Sequence, residues 1–136
     1  MKEPVWIREI EALAFHSHQI ALFGGSDGVR DRGLLDSALA RPKNLLAYAE
    51  RALTLPDLAA AYAVGISSNH PFFDGNKRTA MEVAIVFLEF NGYTVTASQE
   101  EACVTFLSLA AGEITEAELA LWFANHTSAW QAAGEV

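Results

Sequence analysis

The 136-residue chain contains one cysteine, four prolines and only nine basic residues against seventeen acidic ones. The single cysteine, Cys103, excludes an internal disulfide and points to a reducing compartment. Its neighbours Ala102, Val104, Phe106 and Leu107 mark it as a small core hydrophobe rather than a nucleophile. A net charge of −8 excludes a protein that binds nucleic acid by neutralising many phosphates, so no direct nucleic-acid partner is expected. It does not exclude one anion held by a local group of cations. No apolar run approaches the roughly 18 residues a membrane span needs. The opening MKEPVWIREIEALAF is too acidic and too interrupted for a signal peptide. A cytoplasmic protein with no membrane partner is the expectation.

Apolar residues make up 51% of the chain and charged residues 19%, the balance of an ordered protein. The length suits one domain over residues 1–136. Helical periodicity dominates. Residues 5–23 carry Val5, Trp6, Ile10, Leu13, Ile20 and Phe23 near helical spacing, ended by Gly24 and Gly25. His16 and His18 fall two apart, on different faces, and read as surface or partly buried side chains rather than metal ligands. A turn-rich stretch leads to a short helix over residues 33–40, with Pro42 as its terminator. Residues 41–53 fit neither helix nor strand clearly. Thr54-Leu-Pro-Asp57 opens a helix to about Asn69, with Leu58, Ala61, Tyr62 and Ile66 as its buried stripe and small residues such as Gly65 for close packing. Residues 76–91 are apolar almost all round, as in a helix buried at the centre of a bundle, with Thr79, Glu82 and Glu89 as a narrow polar strip. Residues 93–97 read as an extended link. Ser98/Glu101 and Thr115/Glu118 are capping boxes for two further helices, the first ending at Gly112 and the second burying Leu119, Trp122 and Phe123. The segment from Thr127 reads as a fraying helix end.

The informative stretch is HPFFDGNKRT at residues 70–79. Pro71 cannot continue a helix and drives His70 out of the right-handed helical region, into extended backbone just past a helix end. Gly75 supplies a turn position and Asn76 an N-cap. The next helix then begins with Lys77 and Arg78, although a cation at a helix N-terminus costs about 0.3–1 kcal/mol. The other helix starts carry acids: Glu3, Asp57, Glu100 with Glu101, and Glu116 with Glu118. Two cations beside unpaired N–H groups make sense if an anion fills the gap, and a phosphate chain is the natural candidate. Asp74 could hold the Mg²⁺ that travels with such phosphates, and His70 is placed as a general base near neutral pH. Taken singly, an ordinary helix-ending histidine, an Asx turn and a plain cap explain His70, Asp74 and Asn76. Jointly with the two misplaced cations, the functional reading is favoured. Phe72 is a core anchor that positions the loop, and Phe73 is packing or partly exposed.

HPFFDGNKRTA resembles the signature of the Fic/Doc family, in its Doc (death-on-curing) branch. FGGSDGVRDRGLLDSALARP at 23–42, DLAAAYAVGISSNHPF at 57–72, FLEFNGYTVTA at 87–97 and LAAGEITEAELALW at 109–122 extend the resemblance from about Phe23 to Trp122. It implies a compact all-α bundle with the motif loop at the N-terminus of an apolar central helix. It also implies an enzyme that moves part of a nucleoside triphosphate, ATP with Mg²⁺, onto a protein hydroxyl. By this resemblance His70 is the base and Asp74 the Mg²⁺ or phosphate-orienting group, while Gly75, Asn76, Lys77 and Arg78 form the phosphate cradle. Residues 41–53 border the family's substrate groove, which puts Lys43, Asn44 and Tyr48 near a target, although a plain loop explains them equally.

Adenylyl-transferring members resemble HPFxxGNGRxxR, with Gly at Lys77 and Arg at Met81. The Doc branch shares the Lys, which implies a kinase whose target is a threonine of elongation factor Tu, so that translation stops. AMP transfer is the alternative enzyme reading, and a catalytically silent partner-binding module the non-enzymatic one. Ser68 stands where the branch carries Arg, and Glu82 where it carries Asn; both changes bear on nucleotide binding. No clean [ST]xxxE[GN] inhibitory segment is present, so the resemblance implies inhibition by a separate, Phd-like antitoxin of a toxin–antitoxin pair.

Overall fold

The computed structural model describes residues 2–130, and within them six helices and two short strands follow one another. These are α1 (Glu9–Phe23), α2 (Arg32–Ala47), α3 (Leu55–Asn69), α4 (Asn76–Phe90), β1 (Tyr93–Val95), α5 (Gln99–Ala110), α6 (Glu116–Asn125) and β2 (Thr127–Ala129). The fold is the expected helical bundle. Three helix starts are set by local chemistry legible in the chain: Thr54, Ser98 and Thr115 each accept the N–H of the N3 residue, whose acid reaches back to the cap.

Helices α3 and α4 pack on each other at the centre; α2 and α6 cover α3, while α1, β1 and α5 cover α4. The stripe read on α3 is confirmed, with Leu58, Ala61, Tyr62 and Ile66 fully buried. Gly65 is needed for the approach of α2, since a Cβ there would lie 3.2 Å from the Cα and carbonyl oxygen of Ala38. In α4, Val83, Ala84, Phe87 and Leu88 are fully buried. Among the described residues no helix is long and apolar enough to cross a membrane.

Several expectations are corrected. Helix α1 starts at Glu9, and Val5, Ile10 and Phe23 are exposed; its buried face is Ala12, His16 and Gln19. Polar side chains can take that face because α4 and the motif loop supply their partners, as described below. Pro42 lies inside α2 instead of ending it. The hydrogen bond lost at Pro42 is outweighed by keeping Leu35, Ala38, Leu39, Pro42, Leu45 and Leu46 on one inward face. Gly75, not Asn76, is the N-cap of α4, and Thr79 belongs to the core rather than the polar strip. Cys103 is exposed, because α5 turns Ala102 and Phe106 inward instead. The supposed fraying end is strand β2, paired antiparallel with the supposed link: Tyr93 with Ala129, Thr94 with Ser128, Val95 with Thr127. Residues 131–136 of that segment lie outside the described residues.

The segment before α1 is tied to the core by one buried bond, the N–H of Ile7 donating to the Tyr62 hydroxyl at 3.0 Å. Burial pushes the Tyr62 phenol up to about 12, partly offset by the Ile7 bond. Tyr62→Phe leaves that N–H unpaired and should cost about 1–3 kcal/mol at pH 7, read by urea unfolding. The unfolded tyrosine ionises near its ordinary value of 10 and the folded one near 12. This contribution to native stability is therefore complete below pH 10 and lost as pH rises toward 12, so the deficit of the variant should narrow over that window.

Candidate active site

The link between α3 and α4 is short, and its backbone is sorted by polarity. His70 ends α3 in the left-handed region at φ 49° and ψ 56°, the one non-glycine residue with positive φ among those described. The expectation of extended backbone is corrected on this point: Pro71 disfavours the right-handed region, and His70 takes the left-handed conformation of a helix C-cap, its carbonyl held by Arg30 at 2.8 Å while its N–H closes α3 on Ile66 O at 3.2 Å. Gly75, also left-handed at φ 77°, starts α4 with no side-chain cap.

Nearly every carbonyl of this link is held from behind. The Arg30 guanidinium donates to Asn69 O at 3.0 Å and to His70 O at 2.8 Å. The backbone N–H groups of Arg30 and Asp31 donate to Pro71 O at 2.7 and 3.1 Å. The Asn76 side chain donates to Phe72 O at 2.9 Å and accepts the Phe72 N–H at 3.0 Å. His16 Nε2 bonds Asp74 O at 2.8 Å, with its ring stacked on Phe72 at 3.9 Å and 5° between planes. The turn-rich segment after α1 thus runs alongside the motif, with Val29 bridged to Phe72 and the Phe73 N–H donated to Gly28 O.

The donors face the other way. Among the described residues, the N–H groups of Gly75, Asn76, Lys77 and Arg78 meet no protein acceptor. They border an open cleft of about 380 Å³ lined by His70, Phe73, Asp74, Gly75, Asn76, Lys77, Arg78 and Leu107. Lys77 is in no ion pair among the described residues. The Arg78 guanidinium rests 4.6 Å from the centre of the Phe23 ring. The other helix that starts with a basic residue, α2, differs: Asp31 caps it and Glu9 pairs Arg32 at 2.8 Å. Free donors and cations of this kind favour an anion.

The cleft gathers His70, Asp74, Gly75, Asn76, Lys77 and Arg78, with Phe72 buried behind it, whereas Lys43, Asn44 and Tyr48 lie at the end of α2 and do not line it. Three of the four histidines spend a ring nitrogen on a hydrogen bond; exposed His70, in the cleft wall, does not among the described residues. Asp74 is exposed, and one carboxylate oxygen accepts the Ser26 N–H at 2.8 Å, while the other meets no donor among the described residues. No group of three or more metal-binding side chains exists among the described residues. Asp74 alone suits Mg²⁺, which takes one or two carboxylates and completes its shell with phosphates and water. Both ends of the buried Asn76 amide are engaged on Phe72, so the backbone N–H is what Asn76 offers a ligand. Phe72 is 1% exposed and Phe73 58% exposed. Ser68 is exposed, and Glu82 accepts from His18 and Gln19 of α1.

Reading residue by residue misses His16, Ser26 and Arg30. The spacing of Ala12, His16 and Gln19, one helical face, was the available signal for His16.

The sequence model of the Fic/DOC family matches residues 6–88, from before α1 to near the end of α4. The chain belongs to the Fic/Doc family. Relatives include "Protein kinase doc" of Escherichia phage P1, 36% identical over 110 residues, 81% of this chain and 86% of that protein. Another is "Toxin Doc" of Mycolicibacterium smegmatis, 45% identical over 75 residues, 55% of this chain and 58% of that protein. The likeness to the Doc branch read from HPFFDGNKRTA is borne out by both. For this Fic/Doc loop, Asn76→Ala should strand two buried polar groups of Phe72. At about 1–3 kcal/mol each, the summed loss should appear as a lower urea midpoint with an unchanged slope.

Proposed function

We propose that this chain is a Doc-type toxin that transfers the γ-phosphoryl group of ATP to a hydroxyl of a translation factor, by resemblance elongation factor Tu. The observation that carries the reading is the pairing of a histidine with unengaged ring nitrogens and a row of unpaired N–H groups across one cleft. A His70 ring nitrogen would take the proton of the target hydroxyl as its oxygen bonds to the γ-phosphorus. The bond from that phosphorus to the β-phosphate oxygen breaks and ADP leaves. The N–H groups of Gly75 to Arg78, with Lys77, stabilise the charge that gathers on the phosphates. Mg²⁺, when bound, neutralises phosphate charge, and Asp74 is the side chain to hold it.

The names of the two relatives, a kinase and a toxin, support the same reading. A Phd-like antitoxin on a separate chain and a cytoplasmic site of action belong to it. Lys77 favours γ- over α-transfer, since a side chain stands where the AMP-transferring motif has bare glycine.

Feeding the protein ATP labelled at the γ- or the α-phosphate, with cell extract as target, should place the γ-label on one acceptor protein. Transfer of the α-label instead would make it an adenylyl transferase. Growth arrest should disappear in His70→Ala, with label transfer down by about 10²–10⁴-fold. Equal arrest by both chains would mean that a silent binding module, not catalysis, causes it.

A further inference from the structure

His16 is 2% exposed and lies on α1, 58 residues before the loop it touches. Packing alone does not account for it, because an apolar side chain would cover Phe72 without burying two ring nitrogens. Its Nε2 faces a carbonyl, which only accepts, so Nε2 carries the proton and donates to Asp74 O. Nδ1 lies 3.5 Å from a carboxylate oxygen of Asp27. The ring also passes beneath Gly75, its Nε2 3.8 Å from where a Cβ would stand.

Two consequences follow from the bond to Asp74 O. In a planar trans peptide the C=O and the following N–H point in opposite directions, so a carbonyl turned inward to His16 turns the Gly75 N–H outward. Further, Asp74 O is the acceptor that the Arg78 N–H would take if α4 were wound one step further back. The imidazole occupies that acceptor, and the Arg78 N–H stays free.

We propose that His16 is a positioning residue of the phosphate cradle: by holding the Asp74 carbonyl inward, it keeps the N–H groups at Gly75 and Arg78 free and directed at the nucleotide's phosphates. This rests on the nucleotide-binding reading above, but concerns binding rather than the transfer step. Glutamine reaches the same place through the same number of bonds, so His16→Gln keeps a donor near Nε2. His16→Leu keeps the packing and loses the donor, and His16→Asn is too short to reach Asp74.

The test is calorimetric titration of the native chain and variants with inorganic triphosphate, with amide NMR shifts of residues 75–78 and a melting curve for each. Native protein should bind, with shifts at the Gly75 and Arg78 amides. His16→Leu should bind about tenfold to a hundredfold more weakly, the loss of one or two charge-assisted hydrogen bonds. His16→Gln should stay within about threefold of native. If His16→Leu binds like native, whatever its melting temperature, or if His16→Gln fails as badly as His16→Leu, the positioning role is overturned while the transferase reading stands. If the native chain itself binds no triphosphate, cradle, reading and role fall together. Should His16→Leu not fold, His16→Gln against His16→Asn makes the same comparison.

Discussion

A buried carbonyl must find a donor, and the short link between α3 and α4 has to meet that requirement several times over while leaving its N–H groups unmet. The site depends on this sorting. Asn69, His70, Pro71, Phe72 and Asp74 each have their carbonyl oxygen bonded from α1, from residues 30–31 or from Asn76. With the acceptors facing the protein, the donors of Gly75 to Arg78 are left to the cleft. A loop bonded on both faces would have nothing to offer an anion; one bonded on neither would not keep its shape.

Rigidity comes from the helices on either side. The interior of α3 and α4 is built from small residues and a few large ones, Tyr62, Phe87 and Leu88 among them, all fully buried. Trp6 stacks on Phe87 and Tyr62 tilts against it, which ties the segment before α1 to the same centre. The left-handed backbone at His70 is a strained conformation for a residue with a side chain, and Arg30, bonded to its carbonyl, holds it there. Strain at the proposed base is thereby borne by a hydrogen bond from a side chain 40 residues away in sequence.

What could be read from the chain was what neighbouring residues decide. Caps at Thr54, Ser98 and Thr115, the stripe on α3 and the grouping of His70 with Lys77 and Arg78 all rest on contacts within one helix or one loop. What was missed rests on contacts between distant segments. Pro42 stays helical because α3 presses on that face; Cys103 is exposed because α5 is rotated to bury Phe106. β2 exists only beside β1, 34 residues earlier in the pairing of Thr94 with Ser128. His16 is ordinary on its own helix and becomes consequential only where Asp74 meets it. The site was legible as a list of residues, not as a set of braces.

The resting place of Arg78 has a consequence for how a ligand would arrive. Its guanidinium lies over the face of Phe23 and, among the described residues, not against a carboxylate. An aromatic surface orders the side chain without cancelling its formal charge, so an incoming phosphate has no rival anion to evict and less motion to freeze out. The end of α1 acts, in effect, as a rack on which the arginine waits still charged.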